Sequence, residues 1–250
     1  MEDIKMPIIK HLIELRTRLV RSAIMVGIAF SAALYFTKDI IKILKKPLAN
    51  AELIFISPAE AFWVTFKIAF IVGLIFSLPV VLYELWKFIA PGLKMNERKY
   101  GIIFVSSSFV LFVMGLVFCA YVILPFALSY LISYGLDVGM KPMISVGNYI
   151  DFVLKFSIAF GLIFELPLAI TILSKLGVID PKMLSKHRKY AVLLAFIVSA
   201  ILTPTPDVFN QTLMAVPIII LFELGLISAR LFGKKREEEG VTPKEAKEGA

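Results

Sequence analysis

One acidic residue, Glu165, lies in the middle of an apolar segment, residues 152–173, that is long enough to cross a bilayer. An ionisable side chain near the hydrocarbon centre costs roughly 2.5–3.5 kcal/mol on insertion scales, so a helix bundle retains one where a cavity or a partner compensates. Pro167 lacks the amide hydrogen that would bond the carbonyl of Ile163, which predicts a kink in the same helix. Glu165 and Pro167 therefore predict a polar site inside the membrane. The alternative is a glutamate that only joins two helices through a hydrogen bond.

Two further acids lie in basic segments that flank the apolar ones. Glu14 belongs to the segment 11–16, before the first apolar run, and Glu97 follows the aromatic segment 86–93. A carboxylate in a basic setting either pairs within the chain or binds an external cation. Spacing alone favours an internal pair of Glu14 with Arg18, four residues on, and of Glu97 with a nearby lysine or arginine.

The remaining sequence indicates no enzyme chemistry. The two histidines, His11 and His187, form no HExxH pair, and no GxxxxGK[ST] phosphate-binding motif occurs. We therefore expect no catalytic residue, no metal site and no cofactor. Membrane topology accounts for the net charge of +8, so nucleic acid is not an expected partner.

The composition is typical of a polytopic membrane protein. With 59% hydrophobic and 18% charged residues and a mean hydropathy of +0.85, the 250 residues carry too little polar surface for a water-soluble globule. Because about 20 apolar residues cross the hydrocarbon core, the charged boundaries predict an all-α protein with six transmembrane helices. The predicted spans are 22–37, 67–87, 101–126, 149–174, 190–202 and 212–229.

These spans form one predicted membrane domain, residues 1–230, and residues 231–250 are predicted to be a disordered cytoplasmic tail. The fourth span is predicted to be kinked and the fifth and sixth to be short, since residues 190–202 would rise only about 20 Å. Most of the 27 basic residues fall on one side of these spans, which predicts that both termini are cytoplasmic. The four lysines between residues 38 and 46 predict an amphipathic helix on the outer surface.

Part of the sequence is repeated. The pattern Lys67-x5-GLIFSLP recurs as Lys155-x5-GLIFELP, with Ser77 at the position that corresponds to Glu165. A duplication predicts that the two copies run in the same direction across the membrane. The acid is then a specialisation of the second copy.

Five sequence blocks, in this order, resemble the TatC family of the twin-arginine translocase. They are HLIELR at 11–16, SPAEAF at 57–62, WKFIAPGL at 86–93 followed by Glu97 and Arg98, FELP at 164–167, and PTPDVF at 204–209. The resemblance extends to about residue 230. It implies a receptor in the inner membrane that binds signal peptides with consecutive arginines. With single-span TatA and TatB subunits, and in several copies, such a receptor exports folded proteins by using the proton motive force.

The resemblance also assigns roles to residues. It implies that Glu14 and Glu97 read the arginine pair, which reverses the preference that spacing alone gave for internal pairs. The planar guanidinium can bind a carboxylate through two parallel hydrogen bonds, which a lysine cannot reproduce. The other residues that it places in the signal-peptide site are His11, Arg16, Leu93 and Arg98.

In the outer loops the resemblance implies structural roles or partner contacts for Ser57, Pro58, Glu60, Pro206 and Asp207. It implies that Glu165 contacts a polar residue of a partner's membrane helix or the inserted signal. Two other functions stay open on the residues alone. One is an ion-coupled secondary transporter that uses Glu165, and the other is a membrane scaffold for single-span proteins.

Two charged residues of the last span, Glu223 and Arg230, are expected near the inner membrane interface. We expect them to pair with each other or with lipid.

Overall fold

The computed structural model describes residues 8–48, 53–90, 101–203 and 207–232. Six main helices, numbered in chain order, are α1 (Ile8–Lys45), α2 (Pro58–Ile89), α3 (Gly101–Asp137), α4 (Val146–Lys175), α5 (Arg188–Leu202) and α6 (Val208–Phe232). A short helix, Pro181–Lys186, precedes α5. Within the described ranges, five helices, all but α5, are long and apolar enough to cross a membrane. The predicted all-α membrane class is confirmed, and the predicted tail beyond residue 232 lies outside the described residues.

The helix α1 is longer than its predicted span. Its 38 residues rise about 57 Å, well beyond the roughly 30 Å hydrocarbon core. The prediction of a separate surface helix over residues 38–46 is wrong, because no glycine or proline between residues 28 and 46 ends α1 earlier. The hydroxyl of Thr37 donates to the carbonyls of Ala33 and Leu34 within the same helix, each at 3.0 Å.

The helix α3 contains a π-helical turn, Cys119–Ile123, in which the amide of Leu124 donates to the carbonyl of Cys119. Pro125 follows this turn and has no amide hydrogen to donate to the preceding turn. The wider turn accommodates the proline without ending the helix. Helical structure therefore continues to Asp137, past the predicted boundary at residue 126.

The helix α4 is interrupted where Pro167 predicts a kink. Its first segment ends at Ile163 and its second begins at Leu166. The amide of Glu165 donates to the carbonyl of Leu162 at 3.1 Å, a tighter turn than the α-helical pattern. Pro167 lies in the first turn of the second segment, where a missing amide hydrogen removes no helical bond.

The last two helices differ in length. The helix α5 has 15 residues and rises about 22 Å, so it is short, as predicted. The prediction that the sixth span is also short is wrong, because α6 has 25 residues. The polar residues at its start remain helical because Gln211 bonds to α5. Its side-chain amide donates to the carbonyl of Phe196 at 3.1 Å, and its own carbonyl accepts a hydrogen bond from the hydroxyl of Ser199.

Helices that follow each other in the chain pack together, and the two helices that carry the repeated pattern, α2 and α4, also pack on each other. The helix α1 packs along α2, α2 also packs on α3 and α4, and α6 packs on the second segment of α4 and on α5. Two short strands, Leu53–Ile54 and Ile144–Ser145, pair in parallel; the first ends three residues before α2 and the second directly before α4. These two helices therefore begin side by side and run in the same direction, as the repeat predicts. Further along, the ammonium of Lys67 lies 2.7 Å from a carboxylate oxygen of Asp151.

A glycine of each repeat copy lies against the preceding helix. A β-carbon on Gly73 would lie 2.6 Å from the backbone nitrogen of Phe30 in α1, and one on Gly161 would lie 2.6 Å from the ring of Phe112 in α3. A side chain of any size at Gly73 would push α1 away from α2. The repeated glycine thus sets how closely these helix pairs pack.

Replacing Gly73 with Ala is expected to lower the unfolding free energy by about 1–3 kcal/mol relative to Gly27→Ala, because it forces the α1 and α2 backbones apart. The space around Gly27, also in a helix, is open within 4 Å. Both substitutions raise the helix propensity by the same amount, so the difference between their unfolding free energies measures the effect of the contact at Gly73. Thermal unfolding in detergent micelles measures it, and equal melting temperatures for the two variants would contradict the packing argument.

Candidate functional site

Three charged side chains meet where the start of α1 packs against the end of α2. The Arg18 guanidinium donates through Nε to Glu14 Oε1 at 3.0 Å, and its Nη2 donates to the same oxygen. Its Nη1 donates to Glu84 Oε2, also at 3.0 Å. The pair of Glu14 with Arg18 is the one that spacing favours. We refer to these three residues as the Glu14–Arg18–Glu84 cluster.

The Glu14–Arg18–Glu84 cluster is only partly accessible to water. The exposed fractions of its side chains are 24% for Glu14, 16% for Arg18 and 10% for Glu84. Removing one member of this cluster leaves a poorly hydrated charge that has lost a counter-ion, which is destabilising. Counted by formal charge, two carboxylates face one guanidinium. The cluster therefore keeps one net negative charge.

Sequence reasoning missed Glu84. It lies within the predicted span 67–87, so it is an acid in an apolar run, as Glu165 is. The argument that identified Glu165 could have found it. Its partner Arg18 lies 66 residues away in the chain, however, and only the packing of α1 on α2 brings them together.

Other predicted residues surround this cluster. The ring of His11 stacks on that of Phe88, with centroids 4.3 Å apart, and so joins the start of α1 to the end of α2. Arg16 is exposed on α1. Leu93, Glu97 and Arg98 lie outside the described residues.

Glu165 lies at the interruption of α4, where the sequence places it inside the membrane. The side chain of Ser108, buried in α3, lies near its carboxyl group. Its Oε1 atom is buried and has no hydrogen-bond partner among the described residues. A buried polar atom without a partner costs about 1–3 kcal/mol, so this oxygen is suited to a partner from outside the chain.

Pro167 faces α6. The hydroxyl of Thr171 donates to the carbonyl of Pro167 at 2.6 Å and lies 2.9 Å from the hydroxyl oxygen of Ser228. A β-carbon on Gly225 would lie 3.1 Å from the α-carbon of Pro167, so the two helices pack closely here. The second segment of α4 is thereby held against α6.

Glu60 joins the segment before α2 to the start of α4. Its Oε2 accepts from the amides of Ile56 at 2.6 Å and Ser57 at 3.4 Å, at the start of α2. Its Oε1 accepts from the amide of Gly147 at 2.7 Å and from the hydroxyl of Ser145, at the start of α4. One carboxylate thus ties together the starts of the two repeat copies.

Replacing Glu60 with Ala is expected to lower the melting temperature and to speed amide exchange in these loops, since four donors lose a charged acceptor. Asp39→Ala is the matched control, because this acid pairs with Lys42 on the surface and its side chain is 70% exposed. The control should change stability by less than about 1 kcal/mol. Thermal unfolding and amide exchange near residues 53–57 and 144–147 measure the effect. Unchanged exchange in Glu60→Ala would show that the carboxylate does not hold these loops.

The other predicted outer-loop residues begin helices. Ser57 is the N-cap of α2, with an extended backbone, and Pro58 is the first residue of that helix. The carboxylate of Asp207 accepts from the amide of Asn210 at 2.7 Å and so caps α6. Pro206 lies outside the described residues.

The expected pair of Glu223 with Arg230 is not the one observed. Glu223 accepts from Arg188 at 2.7 Å, and Arg230 donates to the hydroxyl of Ser185 at 2.6 Å. Both contacts join α6 to the segment around the start of α5. The two residues lie seven positions apart on α6, and each is closer to a partner on this neighbouring segment.

Comparison with known proteins places this geometry in a family. The profile of the family described as "Sec-independent protein translocase protein (TatC)" matches residues 10–217. The chain is 42% identical to the protein of that name from Carboxydothermus hydrogenoformans over 242 residues, which are 96% of this chain and 99% of the relative. It is 39% identical to the protein of the same name from Escherichia coli over 240 residues, 93% of this chain and 92% of the relative.

A solved structure agrees with these relatives. The crystal structure described as "Twin Arginine Translocase Receptor- TatC" is 40% identical to this chain and superimposes with a TM-score of 0.78. The match covers 88% of this chain and 98% of the solved one. On sequence and fold together, the chain belongs to the TatC family of Sec-independent protein translocases.

Proposed function

We propose that this chain is the signal-peptide receptor and core subunit of a translocase that exports folded proteins carrying twin-arginine signals. The proton motive force drives export. The chain lies in the inner membrane with both termini in the cytoplasm. It works in several copies together with single-span subunits of the TatA and TatB type, surrounded by lipid.

The Glu14–Arg18–Glu84 cluster is the observation that carries this proposal. Its carboxylates already bind a guanidinium through three hydrogen bonds, which is the chemistry that recognition of a signal arginine requires. The cluster also keeps a net negative charge, which favours a further cation. Solved relatives described as twin-arginine translocase receptors support the same role.

The proposal assigns a second acid, Glu97, to the other signal arginine because it follows the family motif at 86–93. His11 and Arg16 belong to the segment that carries Glu14, and Leu93 and Arg98 flank Glu97 in sequence. Two charge-assisted pairs would each contribute about 1.5–3 kcal/mol. That affinity selects a signal peptide and still allows its release.

Glu165 serves a different contact in this proposal. Its Oε1 lacks a hydrogen-bond partner among the residues that the structure describes, which supports a hydrogen bond from a polar residue in the membrane helix of a partner or of the inserted signal. The site is separated in sequence from the cluster on α1 and α2. Recognition and assembly therefore use different acids.

The test is export of a folded reporter in cells whose own TatC is deleted and whose TatA and TatB are present. We expect this chain to restore export of a reporter with an ArgArg signal and to leave a LysLys reporter in the cytoplasm. Export should stop when an uncoupler removes the proton gradient. Equal export of both reporters would favour the scaffold function. Proton-coupled solute uptake by vesicles that contain this chain alone would favour the transporter.

A further inference from the structure

An apolar groove lies between α4 and α5, and the short helix Pro181–Lys186 and α6 complete its walls. Its volume is about 800 Å³, and its lining is apolar except at one end, where Asp180, His187 and Tyr190 lie. We propose that the groove binds an acyl chain of an anionic phospholipid from the inner leaflet, whose phosphate is bound at this polar end. The inference goes beyond the proposed function and takes from it only that the polar end faces the cytoplasm.

The packing of α5 creates this groove. The helix α5 packs mainly on α6 and contacts α4 at few points, so a space remains between α4 and α5. The residues of α5 that line it recur at helical spacing and therefore lie on one face, from Tyr190 through Leu194 to Leu202. Leu162 and Leu194 are 61% and 58% exposed, so the groove is open along one side. Within a bilayer, that side faces hydrocarbon.

The size of the groove selects its occupant. From His187 to Leu202 the lining extends along α5 for about 22 Å, which exceeds the roughly 15 Å of one leaflet. A helix of that length with a diameter of 10 Å would occupy about 1,700 Å³, well above the volume of the groove. A hydrocarbon chain is a single file of methylene groups and is far narrower. The groove therefore fits a lipid chain and is too small to enclose the membrane helix of a partner.

The polar end of the groove is basic. The ammonium of Lys189 lies 5.2 Å from the centroid of the Tyr190 ring, and Tyr190 lines the groove. Lys186 directly precedes His187, which also lines the groove and whose ring stacks on that of Tyr190. Both lysines are exposed, and neither forms an ion pair with another described residue. Basic side chains at the inner membrane interface attract the headgroups of anionic lipids.

The acids at this end are already bound within the chain. Asp180 accepts from the amide of Lys182 at 2.8 Å as the N-cap of the short helix. Glu223 accepts from Arg188 at 2.7 Å. Residues 180–189 include four lysine and arginine side chains, which outnumber these two acids. The end of the groove therefore keeps a positive charge that complements the negative charge of a lipid phosphate.

Comparison of two lipids tests the headgroup. Native mass spectrometry of the full chain in detergent micelles compares phosphatidylglycerol, which is anionic, with phosphatidylcholine, which is zwitterionic, at identical acyl chains. We expect phosphatidylglycerol to bind about 10- to 30-fold more tightly, since each lysine contributes roughly a fivefold attraction. The double variant Lys186→Gln, Lys189→Gln should lose most of this difference. The double variant Lys38→Gln, Lys45→Gln removes the same charge near the far end of α1 and should keep it.

A bulky side chain tests the groove. Ala191 of α5 lines it, and Ala191→Phe should weaken binding of both lipids about tenfold, because the ring takes the place of the acyl chain. Ala200→Phe is the matched control, since Ala200 lies on the same helix, is exposed and does not line the groove. We expect it to keep the native affinities. Thermal unfolding checks that both variants fold.

Photolabelling of the native chain locates the lipid without any substitution. A phosphatidylglycerol with a diazirine at the end of one acyl chain should label Val198 and Leu202, which line the groove far from its polar end. Excess unlabelled phosphatidylglycerol should suppress this label but not the label at Phe76, a surface residue that is 75% exposed. Equal labelling at the groove and at Phe76, with no suppression, would show ordinary bilayer lipid only and would overturn the proposal.

The outcomes separate the lipid site from the proposed function. The affinities are measured without a signal peptide, so equal binding of the two lipids, or an unchanged difference in the Lys186 and Lys189 variant, overturns the lipid site alone. Displacement of the labelled lipid by an equimolar ArgArg signal peptide would make the groove a peptide site and would also overturn it. Failure of reporter export with intact lipid binding would contradict only the proposed function.

Discussion

Replacing Glu14 with Gln is expected to weaken binding of an ArgArg signal peptide by about 10- to 100-fold. The reason is that the change removes a charged acceptor of a guanidinium, a contact worth about 1.5–3 kcal/mol. The glutamine side chain has the same size as glutamate, so the loss of affinity measures the contribution of charge and hydrogen bonding. Equilibrium binding to the full chain in lipid nanodiscs measures the effect.

Asp39→Asn is the matched control for this prediction. It makes the same chemical change on α1, at a side chain that is 70% exposed and paired with Lys42 near the other end of the helix. We expect its affinity for the ArgArg peptide to equal that of the native chain. Native affinity in Glu14→Gln as well would remove Glu14 from the receptor site.

Replacing Glu165 with Ala is expected to reduce export by about tenfold or more, while Glu165→Gln retains more activity. A hydrogen bond between membrane helices is worth about 1–2 kcal/mol, and the amide can still make it, whereas alanine cannot. The prediction is motivated by the buried Oε1 of this side chain, which has no hydrogen-bond partner in the described part of the chain. The rate of reporter export in cells that contain the TatA and TatB subunits measures it.

Two controls make the Glu165 result specific. Ser77→Ala changes the corresponding position of the other repeat copy, where the hydroxyl bonds, within the described ranges, only to the carbonyl of Leu74 in its own helix. We expect it to retain export. Both Glu165 variants should also bind the ArgArg peptide normally, since the cluster on α1 and α2 is intact. Equal and complete loss of export in Glu165→Ala and Glu165→Gln would mean that the charge of Glu165 is required.

Local rules predicted those features of the fold that depend on neighbouring residues. Pro167 has no amide hydrogen to donate, whatever the tertiary structure, so an uninterrupted helix is disfavoured there and the interruption of α4 could be located from the sequence. The short length of α5 followed from the charged and proline-containing segments that bound it. The i to i+4 spacing of Glu14 and Arg18 likewise predicted their contact.

Features that depend on long-range packing could not be predicted in the same way. The lysines after residue 37 predicted a separate surface helix. The helix α1 continues instead, because no glycine or proline ends it there and because Ile41 and Leu44 pack against the core. The helix α6 begins early because Gln211 finds partners on α5. Spacing along one segment contains no information about such contacts.

Glu84 shows this limit most clearly at the candidate site. It is an acid in an apolar run, and that pattern alone could have identified it. Its partner Arg18, however, is 66 residues away and could not be inferred from spacing. The packing of α1 along α2, which is close at Gly73, is what brings Arg18 and Glu84 together. A sequence can thus indicate that a buried acid needs a partner without indicating which one.

Site-specific photocrosslinking of a signal peptide to this chain in membranes tests the receptor function most directly. A photoreactive residue replaces Thr17 or Tyr83, which lie close in sequence to the acids of the cluster, and Val208, at the start of α6, is the control position. We predict strong labelling by an ArgArg peptide at the first two positions, and weak labelling by its LysLys twin or in Glu14→Gln. Labelling that is equal for both peptides and unaffected by Glu14→Gln would contradict the receptor function.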